Sequence, residues 1–464
     1  MKRKVLSLLL VCAMAVGVGA CGSKENGASA EGNGSNGTSS SGKTRLTICW
    51  RDDGTDMEKN ANYRQIMDAY EQWEKKDQVE LDLAPINADE GNYFTKIALQ
   101  LSDPGTCPDL ICEDTFQLPN DTAAGYLTNL DEYLKGYDDW NNGMYYETVK
   151  KSVTVDGSVY GIPYCSDTRG IWYNKGVLQD AGVIAEGEEF APKNWKEILD
   201  ACAKIKQNCP DVVPFWCNSG VASGEATSMQ TYEMLLYGTG ERLLTDEGKW
   251  LTKSEGIQST LQFISDIYSN GYGPSLSLVL NGQAGNTSVR EYLPQGKLGM
   301  SMDGIWATSS WKEGGAAVWD NYENEVGFAA MPTSEGQNPG SITLAGGWAF
   351  SVPEKSDQKD LAFEFIQEMM QPEVYIGAIL RHGSISTRTD VAENTEYASQ
   401  PFFQTATQFL ETADFRPQDE KYPVVSTSIQ QMVESVVSGK SPEDAIKQYT
   451  IDVTRIVGEE NIAQ

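Results

Sequence analysis

Histidine is almost absent from this 464-residue sequence, in which His382 is the single example. A metal site built from several histidines is therefore excluded, and a Ser-His-Asp triad would depend on this one residue. The cysteine spacings match no zinc pattern, and disulfide pairing among them stays open. We predict no metal, no cofactor and no catalytic residue. The cysteines beyond the first 21 residues are Cys49, Cys107, Cys112, Cys165, Cys202, Cys209 and Cys217.

Basic residues are also scarce. The chain has 36 Lys and Arg against 66 Asp and Glu, which gives a formal net charge of −30. A surface this acidic repels the phosphates of nucleic acids and the anionic face of a membrane, so binding to either by charge is excluded. It disfavours a small anionic ligand as well. The simplest interpretation of the acidity is solubility.

Long apolar runs are lacking except between Val5 and Val18, which is shorter than the ~20 residues that cross a bilayer. The run follows Lys2-Arg3-Lys4 and precedes Gly19-Ala20-Cys21, an arrangement typical of a secretory signal peptide. Small residues before a cysteine thiol resemble a bacterial lipobox. We predict a signal peptide over 1–20, lipidation of Cys21 and a location on the extracytoplasmic face of the cell membrane. The alternative is an ordinary signal peptide that is cut near Ala20.

The segment after Cys21 lacks large apolar side chains. Residues 22–43 are mostly Gly, Ser, Asn, Ala and Thr, which cannot bury a core. We expect 21–43 to be a flexible tether behind the lipidated cysteine. The remaining 44–464 is long enough for two lobes.

The body begins with strands that alternate with helices. Apolar runs at Arg45–Trp50, Val79–Leu83 and Pro108–Cys112 enclose two segments with helical spacing of apolar residues. Such alternation predicts an α/β fold with a mainly parallel sheet, whose ligands collect at the carboxyl ends of the strands. Further strands are predicted at Val212–Trp216, Leu298–Met302, Val326–Ala330 and Trp348–Val352, and helices after Asn194 and at Met229–Tyr237, Ile257–Tyr268, Leu361–Met370, Thr427–Val437 and Ala445–Ile456.

Several segments, in this order along the body, resemble one family. The sequence is similar to the extracellular solute-binding proteins that deliver sugars to ABC importers, the class that contains maltose-binding protein. The stretch from Trp216 to Ser228 departs from the family pattern, which leaves the ligand open. The matching segments are Asp156–Tyr164, Trp172–Lys175, Ala181-Gly182, Asn194–Glu197, Gly296–Met300, Asp303–Trp306, Gly346–Trp348, Phe363–Ile366 and Ser441–Ala445.

The resemblance implies a periplasmic-binding-protein-like type II fold with two discontinuous α/β lobes. The N-terminal lobe would comprise 44–165 plus 328–370, and the C-terminal lobe 166–327 plus 371–464. Crossovers are expected near Tyr164–Arg169, near Val326–Pro332 and just after Met370. Ligand would lie in the cleft between the lobes and close them by a hinge motion.

A sugar site needs flat aromatic plates and hydrogen-bonding side chains. Each candidate has an alternative role: a tryptophan can lie in the core, Asp114 can cap a helix, and Asp167 can simply pair with Arg169. Arg51 and Asp52 can be solvated surface. The predicted ligand-binding residues are Trp50, Arg51, Asp52, Asp114, Asp167, Arg169, Trp306, Gly347, Trp348 and Arg416.

These patterns predict a non-enzymatic, monomeric receptor for a di- or oligosaccharide, which it hands to the permease subunits of an ABC transporter. A secreted glycoside hydrolase is the main rival, but it needs two carboxylates ~5–10 Å apart, and no motif here places such a pair. The same fold with another solute is the second alternative. Iron and phosphate fit poorly, whereas a polyamine or a peptide stays open.

Overall fold

The strands predicted from apolar runs form at the expected places. The structure is a computed structural model that describes residues 42–463 except 53, 55 and 89. The predicted signal peptide, the lipidation at Cys21 and the tether as far as residue 41 lie outside the described residues. Within the described part, no helix is both long enough and apolar enough to span a bilayer.

Most strands fall into two mixed sheets of different order. In chain order the strands are β1 Thr44–Cys49, β2 Arg51–Asp52, β3 Val79–Leu83, β4 Ile86–Asn87, β5 Leu110–Asp114, β6 Thr154–Val155, β7 Ser158–Val159, β8 Ile162–Asp167, β9 Arg169–Asn174, β10 Val213–Trp216, β11 Leu298–Gly304, β12 Val326–Ala329, β13 Met331–Pro332, β14 Ser341–Leu344, β15 Gly346–Ser351 and β16 Ala413–Asp414.

The first sheet has the order β3-β1-β5-β15-β8, and the second has the order β10-β11-β9-β12. In the first sheet β1 runs parallel to β3 and β5, whereas β15 is antiparallel to both β5 and β8. In the second, β10 and β11 are parallel and β9 is antiparallel to its two neighbours. A small third sheet, β13-β14-β16, lies where the chain passes between them. Two apolar cores form. The first encloses the first sheet and also includes second-sheet residues such as Trp172 and Trp216, whereas the second core includes their neighbours Tyr173 and Phe215.

Amphipathic helices cover the sheets, and their ends follow the predicted capping residues. The Asn194 side chain accepts the Glu197 N–H at 3.0 Å, and Ser441 accepts the Asp444 N–H at 3.2 Å, which satisfies two otherwise unpaired donors. The longer helices are Ala61–Gln72, Glu90–Ser102, Trp195–Asn208, Glu255–Ser269, Lys359–Met369, Pro372–His382, Tyr422–Val437 and Pro442–Val457.

Short helical turns complete the described structure. Two of them, Ser228–Glu233 and Thr287–Tyr292, are π-helical. The 3₁₀ turns are Met57–Lys59, Val221–Ser223, Phe409–Thr412 and Glu459–Asn461. The short α-helices are Leu118–Ala123, Asp131–Leu134, Asp138–Asn141, Glu147–Lys151, Lys175–Asp180, Glu225–Thr227, Met234–Gly238, Leu276–Val279, Ala284–Asn286, Ala307–Trp311, Tyr322–Glu325, Thr389–Ala392, Thr395–Ala398 and Phe403–Gln408.

Two of the predicted lobe boundaries differ from the strand pairing. The boundary at 328 falls inside β12, whose Phe328 and Ala329 pair with β9 of the second sheet. The third crossover does not follow Met370, because helix Pro372–His382 packs on helix Ala61–Gln72 beside the first sheet. The chain stays there at least to Ile385, whose N–H donates to Ser166 O at 2.8 Å. Helical patterns alone do not show which sheet a helix will cover.

Candidate functional site

The ends of several strands meet where the first sheet passes into the second. β8 ends at Asp167 and β9 begins at Arg169, so one residue, Thr168, connects the two sheets. Across the first sheet, Asp167 lies opposite Gly346, and Asp114 lies opposite Trp348. In the second sheet Arg169 lies opposite Gly304 at the end of β11. Strand pairing and the β8–β9 connection therefore bring four of the predicted residues to the junction of the two sheets, namely Asp114, Asp167, Arg169 and Trp348.

Asp167 and Arg169 form an ion pair at this junction. Asp167 Oδ1 also accepts the Gly346 N–H at 2.9 Å, and Arg169 Nη1 donates to Leu344 O at 2.9 Å. The guanidinium carbon of Arg169 lies 4.8 Å from the centroid of the Trp306 ring. Both residues thus hold the junction together, and Arg169 in addition fixes the orientation of Trp306 by a cation–π contact.

Trp306 is partly exposed and lines a cavity of about 290 Å³. The ring needs Gly304 beneath it, because a Cβ there would lie 2.0 Å from the indole. The wall combines this flat apolar ring with amides, hydroxyls, one carboxylate and one guanidinium, a composition that suits a neutral polyhydroxylated ligand. The polar lining residues are Asn218, Ser223, Gln230, Asn286, Arg290, Asp303 and Ser310.

The cavity contains buried polar atoms without partners. Asn218 Oδ1 and Ser223 Oγ have no hydrogen-bond partner among the described residues, although Asn218 is only 2% exposed. Leaving such atoms unpaired costs about 1–3 kcal/mol each, so a ligand that donates to them gains affinity. Sequence reasoning missed both residues, which lie in the unassigned stretch Trp216–Ser228. The sequence could have indicated Asn218, because this residue lies just beyond the carboxyl end of β10, where ligands collect in such sheets.

Both π-helical segments border this cavity. The first supplies Gln230, whose Nε2 donates to Met302 O at 2.8 Å, and the second supplies Arg290, whose Nε donates to Ser310 Oγ at 3.0 Å. A π turn re-aims side chains relative to an α-helix and occurs frequently at functional sites. Sequence periodicity near 3.6 does not reveal such a turn, which explains why these two residues were not predicted.

Asp303 is the buried carboxyl of the cavity. It is 4% exposed and its Oδ1 accepts the Gly304 N–H at 2.8 Å. Burial raises its pKa to about 6, and the Gly304 N–H, Arg169 and Arg290 only partly offset this effect. Near neutral pH the group is therefore an ionised acceptor that a ligand hydroxyl can reach.

We expect Asp303→Asn to flatten the dependence of stability on pH between about pH 4 and pH 6. The pKa of an aspartate in the unfolded chain is ~3.9, whereas the native value is about 6. In this window the native state retains a proton that the unfolded state has lost, so stability falls as the pH rises. Denaturant unfolding of both proteins at several pH values measures the difference. Parallel curves for the two proteins would show that Asp303 titrates normally.

Trp348 is only partly available as a stacking plate. Its ring stacks on Phe94 with a centroid distance of 6.2 Å, and the Arg51 guanidinium carbon lies 5.8 Å from the ring centroid. Gly347, which precedes it, has φ +142 and passes close to the carbonyl oxygen of Cys165. The role of Gly347 in the structure is therefore to permit this close approach of two strands.

Two further candidates fit the site poorly. Trp50 is fully buried in the first core, which favours the alternative of a core tryptophan over a stacking plate. It ends an interior strand, and the sheet and its covering helices enclose it. Asp52 accepts hydrogen bonds from Gly54 N at 3.0 Å and Asn87 Nδ2 at 3.0 Å, contacts that serve the local loop.

Asp114 and Arg416, by contrast, meet directly. Arg416 Nη2 lies 3.1 Å from Asp114 Oδ1, and both side chains are buried. Asp114 Oδ1 also accepts the Phe116 N–H at 3.0 Å. Helix Leu118–Ala123 begins after Gln117, so Asp114 is not its N-cap. The other side of the Arg416 guanidinium faces Glu225, which sequence reasoning did not select.

The seven cysteines within the described chain are all free thiols. Burial raises the pKa of Cys49 to about 12 and that of Cys217 to about 11, which keeps both as unreactive thiols near neutral pH. Among the described residues, no group of His, Cys, Asp and Glu has the arrangement of a metal site.

Comparison with known proteins places this geometry in a family context. A family model described as bacterial extracellular solute-binding protein matches residues 54–376. The diacetylchitobiose-binding protein DasA of Streptomyces coelicolor is 24% identical over 460 residues, which cover 97% of each chain.

Two solved structures share the fold. A solute-binding protein of Thermotoga lettingae with bound α-D-tagatose is 24% identical, with a TM-score of 0.72 over 89% of this chain and 100% of that one. The maltose-bound MalE3 of T. maritima is 20% identical, with a TM-score of 0.73 over 89% and 100% of the two chains. These likenesses confirm the predicted periplasmic-binding-protein fold.

Proposed function

The chain belongs to the bacterial extracellular solute-binding protein family, and on that premise we propose that it is the carbohydrate receptor of an ABC importer. Membership confirms the predicted resemblance and the prediction that the protein binds a solute rather than turning one over. The observation that supports a carbohydrate is the cavity beside Trp306, where a flat ring lies among amides, hydroxyls and a carboxylate. The relatives named above bind diacetylchitobiose, tagatose and maltose, which are all sugars.

Seven of the ten ligand-binding residues predicted from the sequence fall into two groups. Trp306 lines the cavity, and Asp114, Asp167, Arg169, Gly347, Trp348 and Arg416 surround the junction of the sheets next to it. We add Asn218, Ser223, Gln230 and Asp303, because their polar atoms face the same space. In this proposal one sugar ring stacks on Trp306, and the rest of a di- or oligosaccharide extends from it toward Trp348.

Location and partners follow from the N-terminus and the family. We propose that signal peptidase cuts before Cys21, that a diacylglyceryl group anchors the protein, and that it works at the extracytoplasmic membrane surface beside its permease subunits. The support is the order of charged, apolar and small residues before Cys21. Tethering to the same membrane raises the local concentration of receptor at the permease. Labelling of living cells with palmitate should mark the wild type and leave Cys21→Ser unlabelled.

The carbohydrate proposal predicts stabilisation by a sugar. A ligand at 100 times its dissociation constant stabilises the native state by ~2.7 kcal/mol, which a thermal-shift assay detects readily. The panel contains maltose, maltotriose, diacetylchitobiose, D-tagatose, spermidine and a tripeptide. We expect at least one sugar to raise the melting temperature. Stabilisation by spermidine or the tripeptide and by none of the sugars would refute the proposal.

A further inference from the structure

Arg416 lies between two acidic side chains that belong to different parts of the fold. On one side Asp114 comes from the end of β5 in the first sheet, at 3.1 Å from Nη2. On the other side Glu225 comes from a short helix in the cavity wall of the second sheet, at 3.3 Å from Nη1. The guanidinium carbon also lies 4.4 Å from the centroid of the Phe116 ring. Arg416 is 7% exposed, so its polar groups are largely occupied by protein.

Further hydrogen bonds hold the Glu225 side chain in place. Tyr422 Oη lies 2.9 Å from Glu225 Oε2 and 2.6 Å from Glu233 Oε1, and Ser426 donates to Glu225 as well. Burial raises the pKa of Glu233 well above its usual range. Asp114, Arg416 and Glu225 form one ion-pair cluster, in which two carboxyl groups contact the same guanidinium.

The sharing has a mechanical consequence for the cleft. Without the guanidinium, the buried Asp114 carboxylate and the partly buried Glu225 carboxylate would lose the cation that they share, and the repulsion between them would favour separation of the walls. With the cation, each wall is drawn to the same guanidinium. The Phe116 ring adds a contact of the same kind, because its face attracts the cation from the first-sheet side.

We propose that Arg416 is a closure clamp, a positioning residue that holds the Asp114 wall and the Glu225 wall of the cleft together. The sequence predicted Arg416 as a direct ligand contact, whereas its observed partners are groups of the protein. The clamp increases ligand affinity by populating the closed cleft, because a ligand pays less to close walls that already attract each other. The effect on affinity rests on the proposed carbohydrate function, while the effect on closure does not.

Small-angle X-ray scattering of the ligand-free protein tests the clamp. We expect Arg416→Gln to increase the radius of gyration and Arg416→Lys to restore part of the difference, because lysine keeps the charge but not the fork that grips both carboxylates. Asp114→Asn should open the cleft as well, and this variant replaces Arg416→Gln in the test if Arg416→Gln does not fold. Calorimetry with the panel sugar that stabilises the wild type should show at least a tenfold weaker Kd for Arg416→Gln.

The matched control is Arg242→Gln. Arg242 forms an ion pair with Asp414, two residues before Arg416, but this pair is partly exposed and does not involve Asp114. Its scattering and its Kd should equal those of the wild type. If Arg416→Gln folds and has the radius of gyration of the wild type, the clamp is refuted, even if the variant binds sugar more weakly. If Arg416→Gln does not fold, the same criterion applies to Asp114→Asn. If no sugar of the panel binds the wild type, the carbohydrate proposal fails while scattering still decides the clamp.

Discussion

Trp306→Ala is expected to weaken sugar binding by about a hundredfold while leaving unfolding cooperative. The ring is the large apolar surface of the cavity, and loss of such an anchor typically costs ~2–4 kcal/mol of binding free energy. Every 1.4 kcal/mol corresponds to about a factor of ten in Kd. Titration calorimetry with the stabilising panel sugar measures the change. The Arg169 guanidinium would lose its ring partner at the same time, so denaturant unfolding must accompany the titration.

Two companion variants make this result specific. Trp306→Phe keeps a flat ring and should lose much less affinity than Trp306→Ala. Trp348→Ala should have a smaller effect on binding, because Phe94 and Arg51 already contact that ring. If Trp348→Ala weakens binding more than Trp306→Ala, the sugar lies chiefly against the first sheet, and the cavity beside Trp306 is not its main site.

Gly347→Ala is expected to destabilise the fold by about 3 kcal/mol or more. At φ +142 a side chain is strained, and a Cβ would lie 2.1 Å from the Cys165 carbonyl oxygen. That oxygen belongs to the backbone of β8, which pairs with β15 and cannot move aside without breaking the sheet. Overpacking of this kind typically costs 1–3 kcal/mol, and the backbone strain adds to it. The midpoint of denaturant unfolding provides the measurement.

Gly143→Ala is the matched control for this substitution. Gly143 also has a positive φ, +80, but no atom lies within 4 Å of the position that a Cβ would occupy. Gly143→Ala should therefore lower the free energy of unfolding by about 1–2 kcal/mol, which is the cost of placing a residue with a side chain in the left-handed conformation. If both variants lose the same free energy of unfolding, the strands at Gly347 and Cys165 can move apart without cost, and the prediction is wrong.

The sequence predicted the elements of the fold well because local patterns determine them. The apolar run of β11 and the cap at Asn194 are visible in single segments, and both are confirmed. Trp50 shows the limit of this reasoning. The sequence of β1 alternates polar and apolar residues, a pattern that distinguishes the two faces of the strand but does not indicate whether its end is open to solvent. In the structure Trp50, which directly follows β1, is fully buried.

The cavity beside Trp306 illustrates a second limit. Trp306 was found because a glycine, an aspartate and a tryptophan follow a predicted strand, which is a local pattern. Gln230 and Arg290 were not predicted, because each depends on a π turn and on a contact with a separate segment, Gln230 with Met302 and Arg290 with Ser310. Gln230 and Arg290 reach the cavity only once the segments that form its wall have packed together.

By itself, the sequence determined the α/β class and the family, because periodicity, caps and short motifs are properties of contiguous residues. Only the tertiary structure decided that Gly347 serves a close strand approach, that β12 joins the second sheet, and that Arg416 faces both Asp114 and Glu225. The physical reason is distance along the chain. Asp114 and Arg416 are 302 residues apart, and no local interaction specifies that they meet.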